Sequence, residues 1–182
     1  RIMAKAPDIV PWINQQCDRA QLTEDGIGAT IYAATDTGEI GEAEAGMLIR
    51  SLLSAGVDTT VSGIGSALWC LAQYPEQFQQ LRADPAKRAG PAFEEALRFC
   101  TPVQAFFRTA ADTTTVGGVE IEEGTKILCV LGAANRDAQK FESPDEFMID
   151  RDTRGHLALG GGVHSCVGQI IARAEGRAIL QA

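Results

Sequence analysis

Apolar residues recur at helical spacing through most of the chain. Ile9, Trp12, Ile13 and Cys17 predict an amphipathic helix over 8–20, entered by Pro7, and a second short helix follows over 22–34 with Glu24 and Asp25 in its first turn. The phrase T-D-T-G-E at 35–39 is a turn. From 42 to 73 the helical pattern is almost unbroken, with Glu42 and Glu44 at the end where the helix dipole favours acids. Only the hexapeptide A-G-V-D-T-T at 55–60 disturbs it, because a glycine and two β-branched threonines are poor helix formers and threonine hydroxyls can bond back to the i−4 carbonyl. That stretch reads either as one awkward turn of a core helix or as a helix that opens over a reacting centre. A helix over 75–81 is broken by Asp84-Pro85, and another is expected over 91–99. After Thr101-Pro102 the period shortens: 104–109, 113–116, 119–121 and 126–130 read as strands, with Gly117-Gly118 as a hairpin turn. Val167, Ile170, Ile171, Ala174 and Ala178 restore helical spacing over the final run, 169–181. The fold class is mainly α with small β-sheets, in a single domain over 1–182, with no internal repeat and no linker.

Composition narrows the setting. The 182 residues are 45% hydrophobic and 22% charged, which supports a sizeable core. A net charge of −8 without a Lys/Arg-rich block speaks against nucleic acid as a partner. No apolar run has the length of a membrane span, and R-I-M-A-K-A-P at the start is not a signal peptide. Five cysteines at 17, 70, 100, 129 and 166 lack framework spacing, so reduced thiols and a cytoplasmic location are expected. The start without Met and the end within an amphipathic run predict a piece of a longer protein.

The densest candidate chemistry is H-L-A-L-G-G-G-V-H-S-C-V-G at 156–168. Three glycines permit sharp turning and close approach of the backbone to a flat ligand. Cys166 follows His164 by two residues and precedes the last helix, whose N-terminal dipole favours a thiolate. Three readings stand for Cys166: a buried apolar residue, a nucleophile with His164 as base, or an axial thiolate for haem iron. The pair H-x-C has no matching ligand pair elsewhere, which argues against zinc. Glu95 and Arg98, at i and i+3, share a helix face, and by spacing alone make a surface ion pair.

The segment from Leu159 to Gly168 resembles the haem-binding loop of the cytochrome P-450 family, F-G-x-G-x-H-x-C-x-G, through Gly160, Gly162, His164, Cys166 and Gly168; Leu159 stands where the family has Phe. A-G-V-D-T-T is similar to its oxygen-binding segment, E-A-L-R at 95–98 to its E-x-x-R pair, and A-N-R-D at 134–137 to A-N-R-D-P with Ala138 replacing the proline. The resemblance runs from about Glu42 to the end. It implies an incomplete P-450 fold lacking the N-terminal half and the C-terminal strands, and haem b (iron protoporphyrin IX) held by Cys166. Leu159, Gly160 and Gly168 would shape the loop, and Arg108 and His164 would reach the haem propionates. Ala55 and Gly56 would lie over the iron, Asp58 and Thr59 would deliver protons to bound dioxygen, and Glu95, Arg98 and Arg151 would form a structural triad under the Cys loop.

The stretches R-S-L-L-S-A-G-V-D-T-T and P-V-Q-A-F-F-R-T look most like soluble bacterial members that demethylate para-methoxybenzoate. The implied partners are a small aromatic acid, O2, and a ferredoxin with its NAD(P)H-dependent reductase. On a helix, Ser51, Ala55 and Thr59 share one face over about 12 Å, so a carboxylate near Ser51 and Arg50 would leave the para group near the iron, packed by Val103 and Phe106. A haem-thiolate sensor and a fragment without catalysis are the other functions the sequence leaves open.

Overall fold

A computed structural model describes residues 8–182. Arg1–Pro7, the segment read above as no signal peptide, lies outside the described residues. The chain divides into two compact units, one ending at Asp58 and one running from Thr59 to Ala182.

In the first unit, α1 (Ile9–Gln16) leads through a short 3-10 turn (Arg19–Gln21) to α2 (Ile27–Asp36). The expected helix over 22–34 starts later, because Thr23–Gly26 forms a turn, closed by Gly26 N donating to Thr23 O at 3.2 Å. Cys17, Tyr32, Ala45 and Ile49 form a small core, and the Tyr32 hydroxyl donates to the Cys17 carbonyl at 3.0 Å. Ala45 and Ile49 come from α3 (Glu42–Gln73), which is continuous helix through 55–60. Of the two readings for 55–60, the structure shows the unbroken helix: Gly56 costs only about 1 kcal/mol of propensity, too little by itself to break a helix of thirty-two residues.

The second unit holds the larger core. It gathers α4 (Pro75–Ala83), α5 (Pro85–Cys100) and the last helix, α7 (Gln169–Gln181), around Phe93, Leu97, Phe147 and Ile149. Helix α5 begins six residues before the expected start and carries Pro91 inside it. Pro85 occupies the first turn, where its missing N–H costs nothing, and the Asp84 carboxylate accepts from Lys87 N at 3.2 Å, so the start signal outweighs the internal proline. Strands β1 (Ala105–Thr109) and β4 (Lys126–Val130) pair antiparallel with Phe107 opposite Leu128. Between them β2 (Thr114–Val116) and β3 (Val119–Ile121) form a hairpin whose turn residues Gly117 and Gly118 both have positive φ, as a type I′ turn requires. A single helical turn, α6 (Leu131–Ala134), follows β4.

Helix α7 packs on α5 more closely than a side chain would allow. A Cβ on Gly176 would sit 2.5 Å from ring carbons of the buried Phe93, so the glycine permits this approach. The packing fixes where α7 starts, and so where the Cys166 loop must end.

Candidate functional site

The loop leading to Cys166 is anchored at its root by Asn135. Its fully buried side chain accepts from Leu157 N through Oδ1 at 2.6 Å and donates from Nδ2 to Thr101 Oγ1 at 2.8 Å, while the backbone carbonyl of Asn135 accepts from Arg98 Nη1 at 2.8 Å. Arg98 is in turn held by Glu95 through Nε (2.7 Å) and Nη2 (2.8 Å), and Arg151 Nε donates to the same carboxylate at 3.1 Å. The structure thus brings Glu95, Arg98 and Arg151 together, with Glu95 and Arg98 fully buried rather than on the surface.

A second tie lies beside the first. Glu94 accepts from Arg173 Nε at 2.5 Å and bonds His156 Nε2 at 2.9 Å, joining α5 to α7 and to the first residue of the loop. His156 Nδ1 accepts from Ala158 N, which puts the ring proton on Nε2, facing the carboxylate. Burial raises the Glu94 pKa, but hydrogen bonds from His156 and Arg173 outweigh it and hold the group below the usual range. Neither Glu94, Arg173 nor the bridging role of Asn135 was predicted. The doublet Glu94-Glu95 was the visible signal, since two adjacent acids on a helix face different neighbours and only one can serve the E-x-x-R pair.

Beyond this root the backbone turns tightly. Gly160 has φ +72°, and a Cβ there would meet the His164 carbonyl oxygen at 2.5 Å, so only glycine fits. Leu159 packs against the core of the second unit, and its carbonyl accepts from Cys166 N at 2.8 Å, pinning the cysteine across the loop. A 3-10 turn (Gly162–His164) carries His164, and Gly168 caps α7. Cys166 itself is exposed, as are Val163 (96%), Val167 (83%) and Ile170 (78%) nearby in sequence.

This surface suits a flat apolar ligand with a metal at its centre. Cys166 offers one soft donor, and among the described residues no group of three or more His, Cys, Asp or Glu could hold a metal ion. A metal at Cys166 would take its other ligands from a prosthetic group, as iron does in a porphyrin. The valines and isoleucine flanking the thiol would offer such a ring apolar contact.

The remaining predicted residues lie on exposed elements. Arg108 stands on β1, donating to the Phe107 carbonyl at 2.9 Å and lying 5.6 Å from the Phe106 ring centroid. Val103 is half-buried and Phe106 exposed. Ala55, Gly56, Asp58 and Thr59 are exposed on α3. Arg50 donates to Asn14 Oδ1 at 3.2 Å, and the Ser51 hydroxyl donates to Met47 O at 2.8 Å. Arg50, Ser51, Ala55, Gly56 and Asp58 belong to the first unit and Thr59, Val103, Phe106, Arg108 and Cys166 to the second.

Comparison with known proteins accounts for this arrangement. Residues 91–182 match the family model described as Cytochrome P450. The chain is 52% identical over 171 residues to cytochrome p450 CYP199A2 of Rhodopseudomonas palustris, covering 94% of this chain and 41% of that protein. It is 39% identical to 6-deoxyerythronolide B hydroxylase of Saccharopolyspora erythraea, covering 90% of this chain and 41% of that one. Among solved structures, cytochrome P450 CREJ in complex with (4-ethylphenyl) dihydrogen phosphate superposes with a TM-score of 0.84 at 34% identity, over 93% of this chain and 44% of that chain. The chain belongs to the cytochrome P450 family, and its mainly helical fold with small sheets is part of that family's fold. It spans about two fifths of the length of these relatives. Among the described residues no helix is long and apolar enough to cross a membrane.

Proposed function

We propose that residues 1–182 are the C-terminal portion of a single haem-binding domain in a bacterial, cytoplasmic haem-thiolate monooxygenase. The observation that carries this reading is the Cys166 loop: an exposed cysteine, pinned by its own backbone N–H to the Leu159 carbonyl, with exposed apolar residues on both sides of it in sequence, in a chain of this family. Cys166 would hold haem b as its thiolate ligand, with Arg108 and His164 donating to the propionates and Arg able to give two parallel bonds. Haem iron, when bound, supplies dioxygen activation, and a thiolate ligand favours O–O cleavage. Ala55 and Gly56, with little side-chain bulk, would leave room on α3 for the haem and its substrate, and the Thr59 hydroxyl and Asp58 carboxylate would supply protons there. Electrons would come from NAD(P)H through a reductase and a ferredoxin.

The assignment of Cys166 is tested on the full-length protein by its ferrous-CO spectrum. Wild type is expected to show the red-shifted Soret band of thiolate ligation, and Cys166→Ala to lose it; a variant that keeps the band refutes the ligand. The proton role is read separately. Thr59→Ala should still oxidise NADH but divert it to peroxide, and Asp58→Asn should slow turnover by about 10²- to 10⁴-fold, the range of a general-acid step. Full coupling and rate in both variants would assign proton delivery elsewhere.

For the substrate we infer a para-substituted aromatic acid, para-methoxybenzoate in particular, undergoing oxidative demethylation. The resemblance of R-S-L-L-S-A-G-V-D-T-T and P-V-Q-A-F-F-R-T to benzoate-demethylating members supports it, as does a related structure in complex with an aryl phosphate, an anion para to an alkyl group. Ser51 already gives its proton to Met47 O, whereas Arg50 spends one N–H on Asn14, so Arg50 is the better carboxylate donor and Ser51 assists. The acid should shift the haem to high spin, and its methyl ester should bind about ten- to a hundredfold more weakly, since a charge-assisted hydrogen bond is worth about 1.5–3 kcal/mol. Arg50→Ala should weaken the acid by more than Ser51→Ala does. Equal affinity for acid and ester would remove the benzoate assignment and leave the monooxygenase reading standing.

A further inference from the structure

Two of the five cysteines face each other, Cys70 in the last turn of α3 and Cys100 at the end of α5. Their sulfurs are 3.6 Å apart, close enough for a thiol hydrogen bond. A disulfide needs about 2.05 Å, so bond formation requires the two sulfurs to approach by about 1.5 Å. Access is unequal: Cys70 is fully buried and Cys100 only partly. An oxidant arriving from solvent therefore meets Cys100 first, with Cys70 directly behind it.

The surroundings of Cys100 favour its thiolate. The Cys70 thiol hydrogen-bonds to it and, against the opposing effect of burial, brings its pKa down to about 6, with smaller help from a Ser66 hydrogen bond and the Arg136 charge. Arg136 is fixed nearby through two bonds to the Phe99 carbonyl, at 3.1 and 2.7 Å, and lies 3.7 Å from the Phe99 ring centroid. The hydrogen bond with Cys100 and, after it, burial push Cys70 up, so it remains the proton-bearing thiol. One activated, partly exposed thiolate beside one protected thiol is the arrangement of an attacking and a resolving cysteine.

We propose that Cys70 and Cys100 form a redox modification site, in which a hydroperoxide drives formation of a reversible disulfide between α3 and α5. In the first step the Cys100 thiolate attacks the terminal peroxide oxygen, the O–O bond breaks, and the leaving alkoxide or hydroxide takes a proton; Cys100 becomes a sulfenic acid. In the second step the Cys70 sulfur attacks the Cys100 sulfur, its proton leaves with the hydroxyl as water, and the S–S bond forms. Two thiols are oxidised by two electrons, and one hydroperoxide is reduced. The bond closes a loop between positions thirty residues apart and restrains the unfolded chain. It joins α3 to the end of the helix that carries Glu94, Glu95 and Arg98.

The test uses the ferric full-length protein, titrated with hydrogen peroxide, alkylated under denaturing conditions and digested without reductant. The expected result is a cross-linked peptide pair joining Cys70 to Cys100, lighter by two hydrogens, growing with peroxide and removed by dithiothreitol, while Cys17 and Cys129 stay alkylated. The oxidised protein should also unfold at a higher temperature than the reduced one, a shift absent in Cys100→Ser. In Cys70→Ala, Cys100 should instead accumulate as a sulfenic acid that a 1,3-dione probe traps; if that variant does not fold, the wild-type peptide map decides alone. Cys100 over-oxidised to sulfinic acid beside an intact Cys70 thiol, or both thiols still alkylated after peroxide treatment, would overturn the proposal.

Discussion

Arg98 carries a full positive charge at 0% exposure, and all five of its N–H groups are used: two on Glu95, and the others on the carbonyls of Asn135, Pro144 and Glu146. Glu95 is as fully engaged, accepting from Arg98, Arg151 and Met148 N. A buried ion pair is weak evidence of stability in itself, because desolvation offsets most of the attraction, but removing one partner costs about 3–5 kcal/mol. Its value here is positional, since lysine could not reach three separate carbonyls while holding a carboxylate with two bonds. Thr101 next to it adopts φ +47°, an uncommon conformation for a β-branched residue, and its hydroxyl bonds to Arg98 O and Asn135 Nδ2 hold it there. Glu94 adds a pH response. Its pKa in the folded protein is depressed, so its contribution to stability is present above the unfolded value of about 4.3 and is lost as pH falls through the lower folded value. In urea denaturation of the full-length protein, Glu94→Gln is expected to be less stable than wild type at neutral pH and to lose less on acidification, so that the two profiles converge below the glutamate range. Parallel profiles would take Glu94 out of the acid response.

Among the elements, those with a local signal were legible in the sequence. The apolar spacing predicts the last helix at 169–181, and short β-rich runs predict β2 and β3 around a Gly-Gly turn and β4 after them, because in each case the local preference and the packing agree. The loop was legible in part: Gly160 has φ +72° where only glycine fits, whereas the residues alone left three readings open for Cys166 and the family resemblance chose among them. What escaped was whatever depends on contacts distant in sequence. Pro91 suggested a helix start, yet α5 was already capped by Asp84, and its buried face carries the helix past the proline. The Glu95–Arg98 spacing alone indicated a surface pair, since burial comes from segments at 135–151 that wrap over it. Gly176 shows only as a poor helix residue until Phe93 is seen against it. Asn135 reads as a polar residue in a turn, and its three bonds reach residues 98, 101 and 157.

At the scale of the molecule, the second unit combines a well-satisfied polar interior with an apolar exterior. Among the described residues no buried side-chain N or O lacks a hydrogen-bond partner, which marks a settled core. Its surface is different: besides the apolar residues flanking Cys166, Phe107, Val61 and Trp69 are also exposed. Scattered single apolar residues are ordinary on soluble proteins, but large side chains this numerous favour association when nothing covers them. In the proposed whole enzyme, haem and the remaining three fifths of the relatives' length would supply cover. A polypeptide of residues 1–182 alone, although its net charge of −8 opposes aggregation, is therefore expected to self-associate, because the charge acts over a Debye length of about 8 Å at physiological salt while apolar contact gains roughly 25 cal/mol per Å² buried. Light scattering against concentration should show mass rising above 19.4 kDa, more steeply as salt is added and charge repulsion is screened. The replacements Val163→Ser and Val167→Ser should reduce that rise without altering the helix content seen by circular dichroism. A chain that stays monomeric at all concentrations, or one whose association weakens with salt, would show that these apolar side chains do not drive contact between copies.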